Sequence, residues 1–384
     1  MTSSDLRIVP VTTEEQRHAF ASFPWRLYGN DPNWVPYIFG DRLKLLDPAR
    51  HPFWEHAEGQ LFLAMRGQEV VGTISAHINH RHNEVYKDKV GFFGFFEVVD
   101  DRAVAEALLE EAAAWLRARG MDAIRGPENP SQNEESGLLI DGFGLPPVVM
   151  MTYNPNYYQQ MIEKAGFQKA QDLFAWDILT NIFDYDVQNL PRKFVRVAEE
   201  ARKRPNLVFR KMDMKNFDHE VELAKEVYNA AWEQNWGFVA MTDHEFEQLG
   251  EDLKFIIDPD LVYLAFVDGK VAGFSLGVPD ANQALLRARP QPNNWSFLWS
   301  VVKLLWYKRK INSFRLVAMG VVPEYRTLGI DALFYVETAR EAFRKGYQRC
   351  EMSWILESND MMNRIIERLG GKIYKTYRIY QKPL

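Results

Sequence analysis

The stretch Leu316-Val317-Ala318-Met319-Gly320-Val321-Val322-Pro323-Glu324-Tyr325-Arg326-Thr327-Leu328-Gly329-Ile330-Asp331-Ala332-Leu333 passes from strand to helix through one glycine-bearing loop. Residues 316–322 are all apolar or glycine, the pattern of a buried strand. Pro323 stops that strand, because it lacks an N–H and fixes φ. A helix follows over 331–344 and stops at Gly346. A loop of this kind points the unpaired N–H groups of a helix start outward, and the helix dipole adds roughly half a positive charge. The sequence therefore offers an anion cradle, with Arg326 as a further donor at its entrance; a plain tight turn reads the same way. Asp331 repels an anion there unless its side chain turns away to cap the helix.

Working outward from the cradle, the chain repeats itself at an offset of about two hundred residues. Leu6-Arg7-Ile8-Val9-Pro10 corresponds to Leu207-Val208-Phe209-Arg210-Lys211, and Asn33-Trp34 to Asn235-Trp236. Two hairpins match most clearly, Leu63-Ala64-Met65-Arg66-Gly67 through Gly72 and Leu264-Ala265-Phe266-Val267-Asp268-Gly269 through Gly273. Ile162-Glu163-Lys164-Ala165-Gly166 then aligns with Ile366-Glu367-Arg368-Leu369-Gly370 at an offset of 204. The expected organisation is two domains, 1–182 and 206–384, joined by a polar linker helix in 183–205 that Pro205 ends. Each domain reads strand, helices, two hairpin strands, strand, helix, strand, helix and a last strand of its own. That order predicts an α+β fold with a mixed, mostly antiparallel sheet flanked by helices. In the first copy, the helix over 103–119 carries the apolar stripe Leu108, Leu109, Ala112 and Leu116, and Gly120 stops it.

The motif Val-Val-Pro-Glu-Tyr-Arg-Thr-Leu-Gly-Ile-Asp over 321–331 resembles the pyrophosphate loop of the GCN5-related N-acetyltransferase superfamily, Gln/Arg-x-x-Gly-x-Gly/Ala after a strand ending Val-x-Pro-x-Tyr/Phe-Arg. Asp331 departs from the family's second small residue. A second motif of that superfamily, Asn-x-x-Ala-x-x-Leu-Tyr-x-Lys-x-Gly-Phe, maps onto Asn359, Met362, Ile365, Ile366, Arg368 and Gly370. The resemblance implies a two-domain acyl-CoA-dependent N-acyltransferase, using acetyl-CoA or a longer acyl-CoA as co-substrate and no metal. It implies that Val321, Val322, Arg326, Thr327, Leu328, Gly329, Ile330, Asp331 and Asn359 contact CoA. It also implies that strands 316–322 and 349–357 splay apart for the pantetheine arm, with the Val321 N–H polarising the thioester carbonyl. The tyrosine that many members use to protonate the leaving thiolate is Ile366 here, so that acid is missing.

Amide formation needs a base to take the amine's proton, directly or through water. Glu357, where the strand 350–356 ends beside Asn359, is the first candidate; Glu233 and Asp243 follow, and each of the three also reads as a surface charge or cap, Glu233 and Asp243 more readily so. The aromatic segments around Trp34 and around Asn235 and Trp236 fit an apolar substrate, or simply interior packing. The segment 295–307 carries Trp295, Phe297, Leu298, Trp299, Leu305 and Trp306, followed by Lys308, Arg309 and Lys310. This pairing of aromatic face and basic end suits peripheral membrane contact over 295–310, and a buried helix suits it too. In the first copy, Asp100 and Asp101 stand where pyrophosphate would lie, no glycine is present, and the Asn359 position is Pro155. That copy reads as degenerate for CoA. Its polar loops Asn129-Pro130-Ser131-Gln132-Asn133 and Asn154-Pro155-Asn156 either line a substrate site or serve as turns.

Composition narrows the class further. A chain of 384 residues with 47% hydrophobic content can build two cores. The net charge of −6 argues against a general nucleic-acid binder, and the single cysteine excludes a disulfide framework. No basic, apolar leader opens the chain and the longest apolar stretch is too short to span a bilayer, so a cytoplasmic protein is expected. The acceptor is read as a small-molecule or lipid-like amine. Two other readings stay open: a non-catalytic acyl-CoA-binding or regulatory protein, kept alive by Asp331 and Ile366, and a tandem transferase using aminoacyl-tRNA.

Overall fold

The computed structural model describes residues 5–233, 235–292 and 302–384. The chain divides into two compact units. Unit 1 comprises Met1–Leu173, Ala284–Tyr307 and Lys375–Leu384, and unit 2 comprises Phe174–Gln283 and Lys308–Tyr374.

Unit 1 is a sheet of β1 (Leu6–Pro10), β2 (Ala57–Arg66), β3 (Glu69–Asn79), β4 (Val90–Val98), β5 (Ala123–Gly126) and, at its end, the unit-1 part of β13 (Lys372–Pro383), which also carries β6 (Leu138–Asp141). All neighbours run antiparallel except β4 and β5. The helices are α1 (Glu14–Leu27), α2 (Phe39–Leu45), α3 (His80–Tyr86), α4 (Arg102–Arg117) and α5 (Tyr157–Lys164). The predicted stripe of α4 is the heart of the core: Leu108, Leu109, Ala112 and Leu116 are all buried, each large side chain contributing about 1.5–3 kcal/mol.

Unit 2 repeats this plan with β8 (Leu207–Lys211), β9 (Val262–Val267), β10 (Lys270–Pro279), β11 (Ser313–Val321), β12 (Arg349–Leu356) and the residues 174–179 of β7 (Gln168–Leu179). β11 and β12 pair in parallel, while β8–β9, β9–β10 and β10–β11 are antiparallel. The β9–β10 turn, Asp268-Gly269, has φ of 51° and 79°, the two positive values that a two-residue hairpin of matching twist requires. The helices are α6 (Arg192–Arg202), α7 (Phe217–Trp232), α8 (Asp243–Lys254), α9 (Ile330–Lys345) and α10 (Asp360–Arg368).

Two features differ from the sequence reading. The last strand of each half serves the other unit: residues 380–383 pair with β5 in unit 1, while the second part of β7 belongs to unit 2. The helix expected as a solvated linker is part of the unit-2 core. Ala198 and Ala201 of α6, three residues apart on one stripe, are buried against Leu333 and Val336 of α9, and Phe194 packs edge-on to Tyr335. The charges that suggested a linker occupy the opposite face of α6, where Arg192, Lys193, Arg196, Glu199 and Glu200 are exposed.

Candidate active site

In unit 2 the parallel pairing of β11 with β12 covers Ser313↔Arg349 to Leu316↔Met352 and then stops, although both strands continue. A β-bulge explains the parting. On the other edge of β11, Leu276 faces Ala318 and Gly277 faces Leu316, so Val317 is the extra residue. The bulge re-aims the strand where its partner leaves it, opening a wedge whose walls, 317–320 and 354–356, are half-buried. Beyond the bulge, N–H directions alternate. Val322 N–H donates to Ala272 O in β10 at 2.9 Å. The N–H groups of Met319 and Val321 therefore point the other way, toward the wedge.

At the end of β11, the loop enters α9 through Gly329, whose φ is 80°. A Cβ there would lie 2.8 Å from Val197 Cγ1 and 3.4 Å from Ala201 Cβ. Gly329 is thus needed for α6 to approach, and that side of the helix start is covered by protein. The N–H groups of Ile330, Asp331 and Ala332 have no backbone acceptor among the described residues, and α9 begins without a side-chain cap. Arg326 is exposed, yet part of its guanidinium is engaged: Nε donates to Val321 O at 3.3 Å and Nη2 to Ala231 O at 3.2 Å. It ties the C-terminal end of α7 to the end of β11. Thr327 is exposed, Leu328 and Val322 half-buried. Asn359 is the N-cap of α10, its Oδ1 accepting from Met362 N–H at 3.2 Å. Ile366 is fully buried in the unit-2 core.

The face of the wedge opposite α9 is roofed by the end of α7. A Cβ on Gly320 would meet Trp232 at 2.5 Å, so that glycine lets the indole lie against the strand. Trp236 and Asn235 follow in a half-buried turn, Asn235 N–H donating to Trp232 O. Glu233 is exposed; Asp243 is bonded to Lys225 at 3.0 Å. Glu357 is half-buried one residue past β12; continuing the β11–β12 register sets it level with Val321 across the gap. Trp34 belongs to unit 1, where it is 3% exposed, stacked on Tyr28 and edge-on to Trp25 and Tyr37.

Sequence reasoning missed a buried ionic cluster at the closed end of the wedge. Arg315 and Glu351 occupy paired positions of β11 and β12 and are both buried, with Nε and Oε2 3.6 Å apart. Glu351 also accepts from Ser353 Oγ at 2.9 Å and Tyr374 Oη at 3.4 Å, and Arg315 Nη2 donates to Ser353 O at 2.9 Å. Burial pushes the Glu351 carboxyl up to about 7, with Arg315 and the Ser353 hydroxyl pulling it down. The signal was available: Arg315 is the one charged residue of β11, and Glu351 sits between Cys350 and Met352 in β12.

Unit 1 has the same bulge and the same parting. β4 and β5 pair only from Val90↔Ala123 to Phe92↔Arg125, and Ile74 stands opposite both Phe95 and Phe96. There the wedge is filled from within. Phe95 N–H donates to Asn129 Oδ1 at 2.5 Å and Val98 N–H to Tyr158 Oη at 2.6 Å. Tyr157 Oη donates to Val98 O at 2.7 Å, and the hydroxyls of Tyr158 and Tyr28 both donate to Glu97. Burial pushes the Glu97 carboxyl up to about 7 against these bonds. Asp101 caps α4 through Ala103 N–H and pairs with Arg66 at 2.7 Å.

The fold of the chain as a whole matches solved structures. A tandem GNAT protein from the clavulanic acid biosynthesis pathway superposes with a TM-score of 0.57 at 11% identity, over 98% of each chain. A GCN5-related N-acetyltransferase from Sphaerobacter thermophilus does so with a TM-score of 0.52 at 13% identity, over 100% of this chain and 97% of the other. In sequence, the chain is 38% identical over 395 residues to a bacterial ceramide synthase of Caulobacter vibrioides (strain NA1000 / CB15N), covering all of this chain and 99% of that one. The chain belongs to the family of this bacterial ceramide synthase and has a tandem GNAT fold. It is also 36% identical over 372 residues to Protein YghO of Escherichia coli (strain K12), covering 95% of this chain and 92% of that relative. No family model matches. As a relative of that synthase over its whole length, the protein is an N-acyltransferase.

Proposed function

We propose that unit 2 binds an acyl-CoA and transfers its acyl group to the amine of a lipid-like acceptor, unit 1 being the diverged copy of a duplication. The bulge at Val317, with strand pairing ended at Leu316↔Met352, carries this reading: it leaves the Met319 and Val321 N–H groups facing the wedge between the strands, where a pantetheine arm would enter. Pyrophosphate would lie on the open side of the α9 start, against the N–H groups of 330–332, with the rest of the Arg326 guanidinium and Thr327 beside it.

The chemistry follows from that arrangement. The thioester carbonyl, held at the Met319 or Val321 N–H, becomes more electrophilic, and the same donor stabilises the oxyanion of the tetrahedral intermediate. The amine nitrogen forms the new C–N bond and the C–S bond breaks, releasing CoA as thiolate. Glu357 accepts the proton lost by nitrogen, directly or through a water. Ile366 contributes no proton, so the thiolate leaves unprotonated or takes its proton from solvent.

The lipid-like acceptor rests on the bacterial ceramide synthase relative, since a ceramide is the N-acyl amide of a long-chain amine. Val302, Leu305 and Trp306 add support: they fall at helical i, i+3, i+4 spacing and are 59%, 66% and 56% exposed, with Lys303 among them and Lys308-Arg309-Lys310 next in sequence. We read this as a peripheral contact of a cytoplasmic enzyme with an anionic membrane. Trp295, Phe297, Leu298 and Trp299 lie outside the described residues. Among the described residues, no helix is long and apolar enough to cross a membrane.

The decisive experiment incubates the protein with palmitoyl-CoA and a long-chain amino alcohol, measuring amide by mass spectrometry and free CoA by thiol titration. Amide and thiol in equal amounts support the reading. Tight acyl-CoA binding without amide, for any amine offered, would leave the non-catalytic reading that Asp331 and Ile366 favour.

A further inference from the structure

The charges of α6 are unevenly placed. Arg192, Lys193 and Arg196 crowd its first half, and its first turn carries no acidic residue. Cations there oppose the helix dipole, which favours negative charge at a helix start. All three are exposed and make no hydrogen bond or ion pair among the described residues. In the second half the cations have partners: Lys203 donates to Glu200 at 2.7 Å, and Arg202 donates to Glu337. Glu200, one turn from Arg196, is engaged by that lysine. Helix stability does not account for three unpaired cations at the start of α6.

The position of α6 gives those charges a direction. Phe194 packs edge-on to Tyr335 of α9, and the Tyr335 hydroxyl is directed to the Met362 sulfur of α10, so the first turns of α6 lie on the side of α9 that α10 flanks. Three residues on, Val197 reaches the loop in front of α9, where its Cγ1 stands 2.8 Å from the Cβ that Gly329 lacks. Lys193 is one turn from Val197 on the same face, about 6 Å away from Cβ to Cβ. Arg196 flanks Val197 on the side opposite buried Ala198. Both cations therefore border the mouth between the 326–329 loop and Asn359 at the start of α10. Asp331 adds a negative charge to that mouth: it lies one turn before Tyr335, and its field acts on the Tyr335 hydroxyl. A polyanion there needs more positive charge than Arg326 supplies, since part of that guanidinium is spent on Val321 O and Ala231 O.

We infer that Lys193 and Arg196 bind the 3′-phosphate of CoA, the dianion at the nucleotide end of the acyl donor. Resting on the functional reading above, this names the residues that select a nucleotide-borne donor. The 3′-phosphate is carried on the ribose next to the pyrophosphate, within reach of two long side chains rooted beside Gly329. A phosphate monoester holds close to two negative charges at neutral pH, and ammonium and guanidinium groups grip it through charge-assisted hydrogen bonds. Neither residue belongs to the 321–331 loop or to α10, so the loop motif alone does not carry this contact.

The test compares CoA with 3′-dephospho-CoA by calorimetry on the full chain at low ionic strength, where exposed charges are least screened. Two exposed cation–phosphate contacts are worth about tenfold together, so wild type should bind CoA about tenfold more tightly than 3′-dephospho-CoA. Lys193→Gln combined with Arg196→Gln should bring CoA down to the affinity of 3′-dephospho-CoA and leave the latter little changed. Both side chains are exposed, so urea unfolding of the double variant should match wild type; if it does not, each single variant should still lose part of the ratio. Lys203→Gln, at the far end of α6, should keep the full ratio. Equal binding of the two nucleotides by wild type overturns the inference, as does a preference for CoA that survives the double substitution. An equal loss for both nucleotides in the double variant also overturns it, because the cations would then serve the pyrophosphate. Failure of wild type to bind either nucleotide would strike the functional reading itself, an outcome distinct from equal binding.

Discussion

Beyond the bulge, β4 of unit 1 and β11 of unit 2 present the same backbone edge and meet opposite fates. Val98 N–H is taken by Tyr158, Phe95 N–H by Asn129 and Val98 O by Tyr157. At the offset of 204, the partners of Tyr157 and Tyr158 are Met361 and Met362; Met361 is 69% exposed, and Met362 has only a thioether, a weak acceptor. Glu97 and its two tyrosine hydroxyls correspond to bare Gly320 under Trp232. Two phenols and an amide thus separate a closed wedge from an open one on one backbone plan. Buried polar groups must be paired by something; where the chain does not pair them, a ligand has that opportunity.

The strongest way to break this comparison is to graft the closing residue. Met362→Tyr should set a hydroxyl against Val321 N–H, lowering acyl-CoA affinity at least a hundredfold in calorimetry while the far-ultraviolet dichroism stays unchanged. Undiminished affinity would mean that the wedge is not where CoA binds. Next comes Glu357, whose counterpart is Tyr153, bonded to Asp31 at 2.7 Å. Glu357→Gln keeps shape and loses basicity, so kcat should fall about a hundredfold with KM little changed. A pH–rate profile identical to wild type would transfer the role to another group.

A smaller effect separates two glycines of one helix. Gly329 and Gly346 bracket α9 with φ of 80° and 76°, so alanine at either suffers the left-handed penalty of about 1–2 kcal/mol. Only Gly329 also faces Val197; around Gly346 nothing lies within 4 Å of a new Cβ. Gly329→Ala should therefore be less stable than Gly346→Ala by a further 1–3 kcal/mol or so in urea unfolding. Equal losses would show that α6 yields easily.

Glu128, in the loop that fills the unit-1 wedge, tests the cost of closure. It is 5% exposed, and burial pushes its carboxyl up to about 8 despite Arg125. Because its pKa is higher in the folded than in the unfolded chain, the folded state holds the extra proton between about pH 4.5 and 8, and stability declines as pH rises through that window. Glu128→Gln should remove this slope, raising stability by about 2 kcal/mol or more at pH 8 and changing little at pH 4.5. An unaltered slope would place the titration elsewhere. The smallest effect is expected from Tyr158→Met, the unit-2 residue put into unit 1: Tm should fall, while the number of acyl-CoA sites stays at one per chain and kcat stays put. A second site appearing would mean that Tyr158 alone keeps unit 1 closed.

Much of this was legible in the residues. The strand–loop–helix over 316–333, the stripe of α4 and the paired hairpins follow from local periodicity and turn chemistry, which the chain obeys closely. Gly329 was legible as necessary, but the sequence could not say that a helix, α6, presses on it. A helix with charges on one face and two alanines on the other looks solvated until its neighbour is known. Arg315 and Glu351 escaped because their partnership is across strands, 36 residues apart, with no spacing rule to connect them. Trp34 drew attention as an aromatic in a loop; its rings Tyr28, Trp25 and Tyr37 come from both sides of it in sequence and meet only in the folded unit.

The pairing of the chain's last strand with β5 carries a consequence for synthesis. Arg125 and Gln381 are bonded side chain to side chain at 2.9 Å across 256 residues of sequence. As the polypeptide emerges from a ribosome, amino end first, the earlier-made unit waits with an uncapped sheet edge until residues 380–383 have been made. Contacts this distant delay folding, and an exposed edge invites association with other nascent chains. The order of manufacture and the order of completion are thereby reversed: the second half, supplied early with its β7 segment, can close first, and the first half closes only once residues 380–383 follow. A stop before residue 380 would consequently damage the portion of the protein that was made first.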